Sequence, residues 1–409
     1  MATANAERAL ADLKELRTIG TFKTGVHRPT LSPQDMQARE WFCEKLRAFG
    51  HDASIDGIAN ILGRAPGDGR RVLAGSHIES QNEAGWLDGA LGVIYALEAA
   101  RAVAEDPALQ AAGAGVDVIC FADEEDHFGS FFGSRSFTGG LSEADIDGAE
   151  DRSGRGSLRH CLAEAGLAGR ERLLIEPGRY DAFFEAHIEQ GPRLEQEGLS
   201  IGLVTSIVAI WQYRIEIKGQ QNHAGTTTMA ARKDAARAML EVWKRIEDAF
   251  PSVAGPDSVW TSGRIELDPG GPSIIPGEAT LWFQHRDADV AILERMEKRL
   301  EEVVAEAAAD SVCEIRLEVN GKNMPAVMAP DVRATLAEAA EALAPGKWRE
   351  MPSGAAHDAQ MIAPLLPSGM LFVPSINGVS HHWTEDTKDE DILLGVKVFV
   401  DAISRRLSA

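Results

Sequence analysis

The 409-residue chain is 44% apolar and 25% charged, enough for a large buried core and more than one core readily holds, so two domains are expected. A formal net charge of −22 repels phosphate backbones and anionic headgroups, which argues against nucleic-acid or membrane-surface binding. Four scattered cysteines, Cys43, Cys120, Cys161 and Cys313, suit neither a disulfide framework nor a thiolate metal site and point to a reducing compartment. The N-terminal stretch MATANAERALADLKELRTIG reads as an amphipathic helix with Leu10, Leu13 and Leu16 on one side, not as a signal peptide. No apolar run approaches the roughly 20 residues of a bilayer span, so a soluble cytoplasmic protein is expected.

Arg71–Ser76 (RVLAGS) has the look of a buried strand, residues 90–104 of a helix, and Val116–Ala122 (VDVICFA) of a second buried strand. This alternation predicts an α/β domain with functional residues on the loops that follow its strands. From about Ile210 the pattern is strand (WQYRIEIKG), a long helix from about Ala231 to Phe250, strand (LWFQHR), charged helix (ILERMEKRLEEVVAEAAA) and strand (CEIRLEV). That stretch makes a small α/β unit of its own. The run MLFVPS, residues 370–375, then returns to the buried-strand pattern. A discontinuous catalytic domain, residues 1–208 and 325–409, with residues 209–324 inserted as a smaller domain, accounts for this order. Hinges are expected near residues 208 and 324.

Four segments carry residue types suited to chemistry. GSHIES puts His77 at a strand end and WLDGALGV puts Asp88 before a helix; imidazole and carboxylate together suit zinc, manganese or cobalt. The plainer alternative is that Asp88 caps the helix and His77 is a satisfied loop histidine. The run Asp123-Glu124-Glu125-Asp126 follows a buried strand, where a cation would relieve mutual repulsion and leave one carboxylate as a base; a solvated acidic loop is the other reading. His187 in EAHIEQGP and His381 and His382 in SHHWTED also follow apolar runs, and could join the same site.

In order, the segments GSHIES, GWLDGALGV, ADEED with GSRSFTG, EAHIEQGP, NHAGTTTMAARKDA, SGAAHDAQM and FVPSINGVSHHWTED resemble the N-carbamoyl-L-amino-acid hydrolases. That group, with the allantoate amidohydrolases and β-ureidopropionases, forms the hydantoinase/carbamoylase branch of the di-zinc aminoacylase-type enzymes. The likeness runs from about residue 75 to residue 390. It implies an aminopeptidase-like α/β catalytic domain with an inserted lid and dimerisation domain. It also implies that His77, Asp88, Glu125, His187 and His381 bind two divalent metal ions, zinc foremost with manganese, cobalt or nickel as alternatives, and that Asp88 bridges them. Glu124 corresponds to the general base.

The same resemblance assigns oxyanion stabilisation to His223, acting in the partner subunit of a homodimer. Gln190 would contact the ureido or amide group, Arg286 the substrate carboxylate through its bidentate guanidinium, and His357 falls in a motif near the site. Departures from the family pattern concern specificity: Glu79 in place of an aspartate that orients the first histidine, Ser273 in place of an asparagine that binds the carboxylate, Asp126-His127 in place of glycine and arginine, and Thr228 in place of proline. The implied reaction is hydrolysis of an N-carbamoyl amino acid to amino acid, ammonia and carbon dioxide. An N-acyl or N-aryl amino-acid amidase, or a dipeptidase, is the rival on the same scaffold. A non-catalytic, metal-stabilised binding protein would be expected to lack the base or a ligand, and neither is missing.

Overall fold

A computed structural model describes residues 1–409. The chain divides into two compact units, Met1–Thr205 with Val327–Ala409, and Ser206–Ala326. No helix is long and apolar enough to cross a membrane.

The larger unit is built on a nine-stranded mixed sheet. At its centre the strands Ser368–Val373, Phe183–Ile188, Arg71–His77 and Gly115–Phe121 lie side by side and parallel. All their residues are buried, which is why they read as continuous apolar runs and not as alternating ones. The helix Ala90–Glu105 packs on three of them, and Asp389–Ser408 packs beside it. Gly92 permits the close approach: a Cβ there would stand 2.3 Å from the carbonyl oxygen of Ala186. Ala6–Arg17 lies against both helices through Leu10, Leu13 and Leu16, the stripe expected from the sequence. Because the central strands run parallel, His77, His187 and the acidic run after Phe121 all emerge at the same sheet end. Ligands gather at the carboxyl ends of strands in such sheets.

The smaller unit holds a four-stranded antiparallel sheet in the order Val259–Asp268, Glu278–Asp287, Ala209–Lys218, Glu314–Lys322. Along Ala209–Lys218 the residues Ala209, Trp211, Tyr213, Ile215 and Ile217 are buried and the intervening ones are not. The buried face packs against the helices Ala235–Ala249 and Val290–Asp310, and the unit has its own core.

Two local expectations fail. The strand Val259–Asp268 is absent from the sequence reading because most of its side chains are exposed, so it has no apolar alternation to detect. The helix expected from Ala231 begins at Ala235, behind the N-cap Asp234; residues 229–231 form a single 3-10 turn. Arg232 explains the delay, since its guanidinium donates back to the carbonyls of Ala224 (2.6 Å) and Thr227 (3.2 Å) and holds that segment out of the helix.

Candidate active site

His77 ends its strand fully buried, with Nδ1 donating to the carbonyl of Glu79 at 3.2 Å. Its Nε2 has no hydrogen-bond partner and points between Asp88 Oδ1 and Glu124 Oε2, each 3.6 Å away. Burial lowers the pKa of this imidazole, so it is neutral and presents a lone pair. Asp88 does not cap the following helix. The N-cap is Gly89, at φ +63°, where a Cβ would collide with the His77 ring at 2.3 Å, and no side chain caps that terminus.

The Asp88 carboxylate instead gathers the histidines. Oδ1 is 2.9 Å from His187 Nε2, and Oδ2 is 3.3 Å from His381 Nε2 and accepts from Gln190 Nε2 at 2.9 Å. Burial opposes ionisation of Asp88, but the two imidazoles outweigh it and hold the carboxyl well below the ordinary range. His187 is its counterpart: burial lowers its pKa, but the charge and hydrogen bond of Asp88, with Glu185 and the Ile188 carbonyl, together raise it more, to about 9. His187 Nδ1 is engaged by the carbonyl of Ile188 at 2.9 Å, leaving Nε2 to face the site. His381 is half-exposed, and its contact with Asp88 pushes its pKa up to about 9 as well.

The four consecutive acids divide between two tasks. Asp123 is structural, accepting the main-chain N–H groups of His127, Phe128 and Gly129, while Asp126 is exposed and accepts from the Ser130 hydroxyl. Glu124 and Glu125 turn inward. Glu125 accepts from the main chain and side-chain amide of Gln81 and lies 3.6 Å from His381 Nε2; burial and then the Asp88 charge raise its pKa to about 8. Glu124 is raised well above the ordinary range by burial and by Glu125, Asp358, Asp88 and Glu185. An acidic centre this crowded, with a buried imidazole nitrogen left unpartnered, fits divalent cations. Two groups have ligand atoms mutually within 4.8 Å: His77, Asp88 and His187, and Asp88, Glu125 and His381.

A model of the family described as "Peptidase family M20/M25/M40" matches residues 72–405. The N-carbamoyl-L-amino-acid amidohydrolase of Paenarthrobacter aurescens is 34% identical over 403 residues, covering 97% of this chain and 96% of the relative. Allantoate amidohydrolase of Escherichia coli K12 is 32% identical over 384 residues, with 91% of each chain covered. Among solved structures, a hydantoinase/carbamoylase-family amidase from Burkholderia phymatum superposes with a TM-score of 0.90 at 44% identity, covering 100% of this chain and 99% of that one. The chain belongs to peptidase family M20/M25/M40. It is a hydrolase acting on C–N bonds, and the relatives and structures it resembles include members of the hydantoinase/carbamoylase branch.

Other residues of this M20 chain singled out from the sequence occupy varied settings. Gln190, at φ +57°, directs its amide at Asp88, Ser380 and His381. His357 is buried beside the His187 ring, centroids 4.6 Å apart, with Nε2 2.9 Å from the Ser353 hydroxyl; burial keeps it neutral. His127 is buried, with Nε2 3.0 Å from the Ser80 carbonyl. In the smaller unit, His223 Nδ1 accepts the N–H groups of Gly225 (2.9 Å) and Thr226 (3.2 Å), so the ring proton is on Nε2, on an exposed side chain. Ser273 is its neighbour: its carbonyl accepts from Ala224 at 3.1 Å, and Ile274 pairs with His223. Arg286 lies on an internal strand opposite Val259 and Ile210, not at a sheet edge, with Nη2 3.3 Å from Gln284 Oε1.

Three further residues, Gln81, Glu385 and Glu185, the last noted only as flanking His187, are given no role by the sequence. Gln81 holds Glu125 as described. Glu385, fully buried, accepts the N–H groups of Leu87 (3.2 Å) and Asp88 (3.1 Å) with one oxygen and the Ser380 hydroxyl (3.0 Å) with the other, joining the Asp88 loop to the His381 loop. Glu185 accepts from the Ser76 hydroxyl at 2.7 Å and Ala359 N–H at 2.9 Å. A signal for Glu185 was present: a carboxylate two positions before His187 on an otherwise apolar strand shares its face.

Proposed function

We propose that the protein hydrolyses a C–N bond of the ureido group in an N-carbamoyl amino acid, giving the amino acid, ammonia and carbon dioxide. The observation that carries this reading is that Asp88 is common to two metal-ligand groups while Glu124, 3.6 Å from His77 Nε2, belongs to neither. Two divalent cations, held by His77, Asp88 and His187 and by Asp88, Glu125 and His381, would polarise the scissile carbonyl and acidify water; zinc is foremost, and manganese, cobalt and nickel suit the same donors. Glu124 takes a proton from the attacking water and returns it to the departing nitrogen. His223, with its proton on Nε2, is a donor suited to the developing oxyanion. Gln190 binds the ureido group, with His357 beside it, and Arg286 and Ser273 bind the substrate carboxylate.

A homodimer with composite sites belongs to the same reading. Along the strand Glu278–Asp287, Glu278 pairs with Lys218, close in sequence to His223, whereas Arg286 pairs with Ile210. Eight residues of strand separate those two ends, about 26 Å, longer than a small ureido acid. That separation supports a shared site in which one substrate meets His223 and Ser273 from one protomer and Arg286 from its partner. The four cysteines, all buried and unpaired, support a reducing, cytoplasmic setting.

The test is product analysis of the metal-reconstituted protein against N-carbamoyl, N-formyl and N-acetyl amino acids and allantoate. Ammonia from ureido substrates alone is the expected result. Amino acid released from acyl substrates without ammonia would replace this reading with an N-acyl or N-aryl amidase, or a dipeptidase, on the same cations and base.

A further inference from the structure

Arg39 lies on the helix Pro33–Arg47, far upstream of the acidic run, yet its fully buried guanidinium reaches the segment that carries Glu124. Nε donates to Asp35 Oδ2 at 3.0 Å. Nη1 donates to the carbonyls of Ala59 (2.8 Å) and Phe121 (3.1 Å), and Nη2 donates to Glu79 Oε2 at 2.6 Å. The other oxygen of that carboxylate, Glu79 Oε1, accepts the main-chain N–H of Glu124 at 2.7 Å. One cation thus holds both ends of a four-residue turn, the carbonyl of Phe121 directly and the amide of Glu124 through Glu79. Between them Asp123 has φ +57°, a left-handed conformation that a non-glycine residue keeps only when its surroundings impose it.

Glu79 stands where related sequences were expected to carry an aspartate directed at the first metal-binding histidine. Its carboxylate is 3.8 Å from His77 Nδ1, and that nitrogen donates instead to the main-chain carbonyl of Glu79 at 3.2 Å. The ring of His77 is therefore oriented by backbone, and the extra methylene of glutamate carries the carboxylate on to Arg39 and the Glu124 amide.

We propose that Arg39 and Glu79 are positioning residues for Glu124, joined so that Arg39 fixes the turn from Phe121 to Glu124 while the Glu79 carboxylate leaves the orientation of His77 to the main chain. This rests on the reading of Glu124 as the base. Charge and a two-pronged donor are both needed: lysine at position 39 supplies the charge but cannot reach Phe121 and Glu79 together.

The experiment uses Glu79→Asp and Arg39→Lys in the full-length protein, with three measurements on each variant. Bound zinc is counted after reconstitution, exchange of the Glu124 amide is followed by hydrogen exchange in the zinc-free protein, and kcat and KM are measured on the best substrate of the wild type. Glu79→Asp is expected to keep wild-type zinc content and KM, to exchange the Glu124 amide about tenfold faster or more, and to lose about 10- to 100-fold in kcat. Arg39→Lys should behave alike; if it fails to fold, Glu79→Asp decides alone. Loss of zinc in Glu79→Asp with the Glu124 amide still protected would overturn the proposal, because the carboxylate would then serve His77. Unchanged exchange together with unchanged kcat would overturn it too. The exchange measurement needs no substrate, so it stands or falls separately from the ureido reading.

Discussion

The two units treat polar side chains in opposite ways. The larger one buries Arg39, Glu79, Asp88, Glu125, Glu185 and Glu385 around two buried histidines, each of these six held by a second polar group, with the partly buried Glu124 beside them. The smaller one packs an apolar and aromatic core and leaves His223 exposed, its tautomer set only by the local turn. The contrast teaches where precision is needed. On the proposed reading, groups that are to hold cations and a base are prearranged inside the protein, since crowded carboxylates repel until a cation arrives. A single hydrogen-bond donor needs only its proton on the right nitrogen.

The sharpest way to break this comparison is Glu124→Gln. It is expected to retain its cations and lose about 10³-fold in kcat, read from metal analysis alongside turnover; full activity would remove the base from the larger unit. A smaller effect tests the exposed groups. His223→Ala and Arg286→Ala homodimers should each be nearly inactive, and equal mixing with subunit exchange should restore about a quarter of wild-type activity if every site draws on two protomers. No recovery, with mixed dimers demonstrated by mass spectrometry, would return both residues to one protomer.

His285 is the exception that tests the apolar core of the smaller unit. It is buried against Tyr213, Trp211 and Phe250, with Nδ1 unpartnered, and burial lowers its pKa from 6.5 to about 4. The folded state then binds fewer protons than the unfolded one, so the stability linked to this group is complete above pH 6.5 and lost as pH falls towards 4. The loss should approach about 3 kcal/mol. Urea denaturation followed by fluorescence at pH 7, 5 and 4 should show a shallower decline for His285→Phe than for wild type; parallel declines would mean the imidazole is already solvated. The smallest effect is expected at the N-cap Asp234, whose side chain accepts from the N–H of Arg237. Asp234→Ala should destabilise the unit by about 1 kcal/mol, visible as a lowered denaturation midpoint with kcat unchanged.

The buried parallel strands, the stripe of Leu10, Leu13 and Leu16, and the alternating strand from about Ile210 were legible because each rests on local periodicity or on a continuous apolar run. The strand Val259–Asp268 was not, because an exposed edge strand takes its conformation from its neighbour's hydrogen bonds and leaves no pattern in its own side chains. In the acidic run, composition could not separate Asp123, which binds the turn, from Glu124 and Glu125, which face the histidines. Neighbouring residues of one type differ there only in where the turn sends them.

By itself the sequence determined the kind of chemistry: imidazoles and carboxylates at strand ends, in an order that resembles one family of hydrolases. That resemblance already named Asp88 as the shared ligand and Glu124 as the base; only the tertiary structure decided how close these groups come to one another and which side chains hold them in place. Asp88, Glu124, Arg39 and Glu385 belong to separate stretches of chain, and their roles follow from distances that exist once the sheet and its loops have formed. Local propensity acts over a few residues, whereas the charge and burial that define these roles act through space.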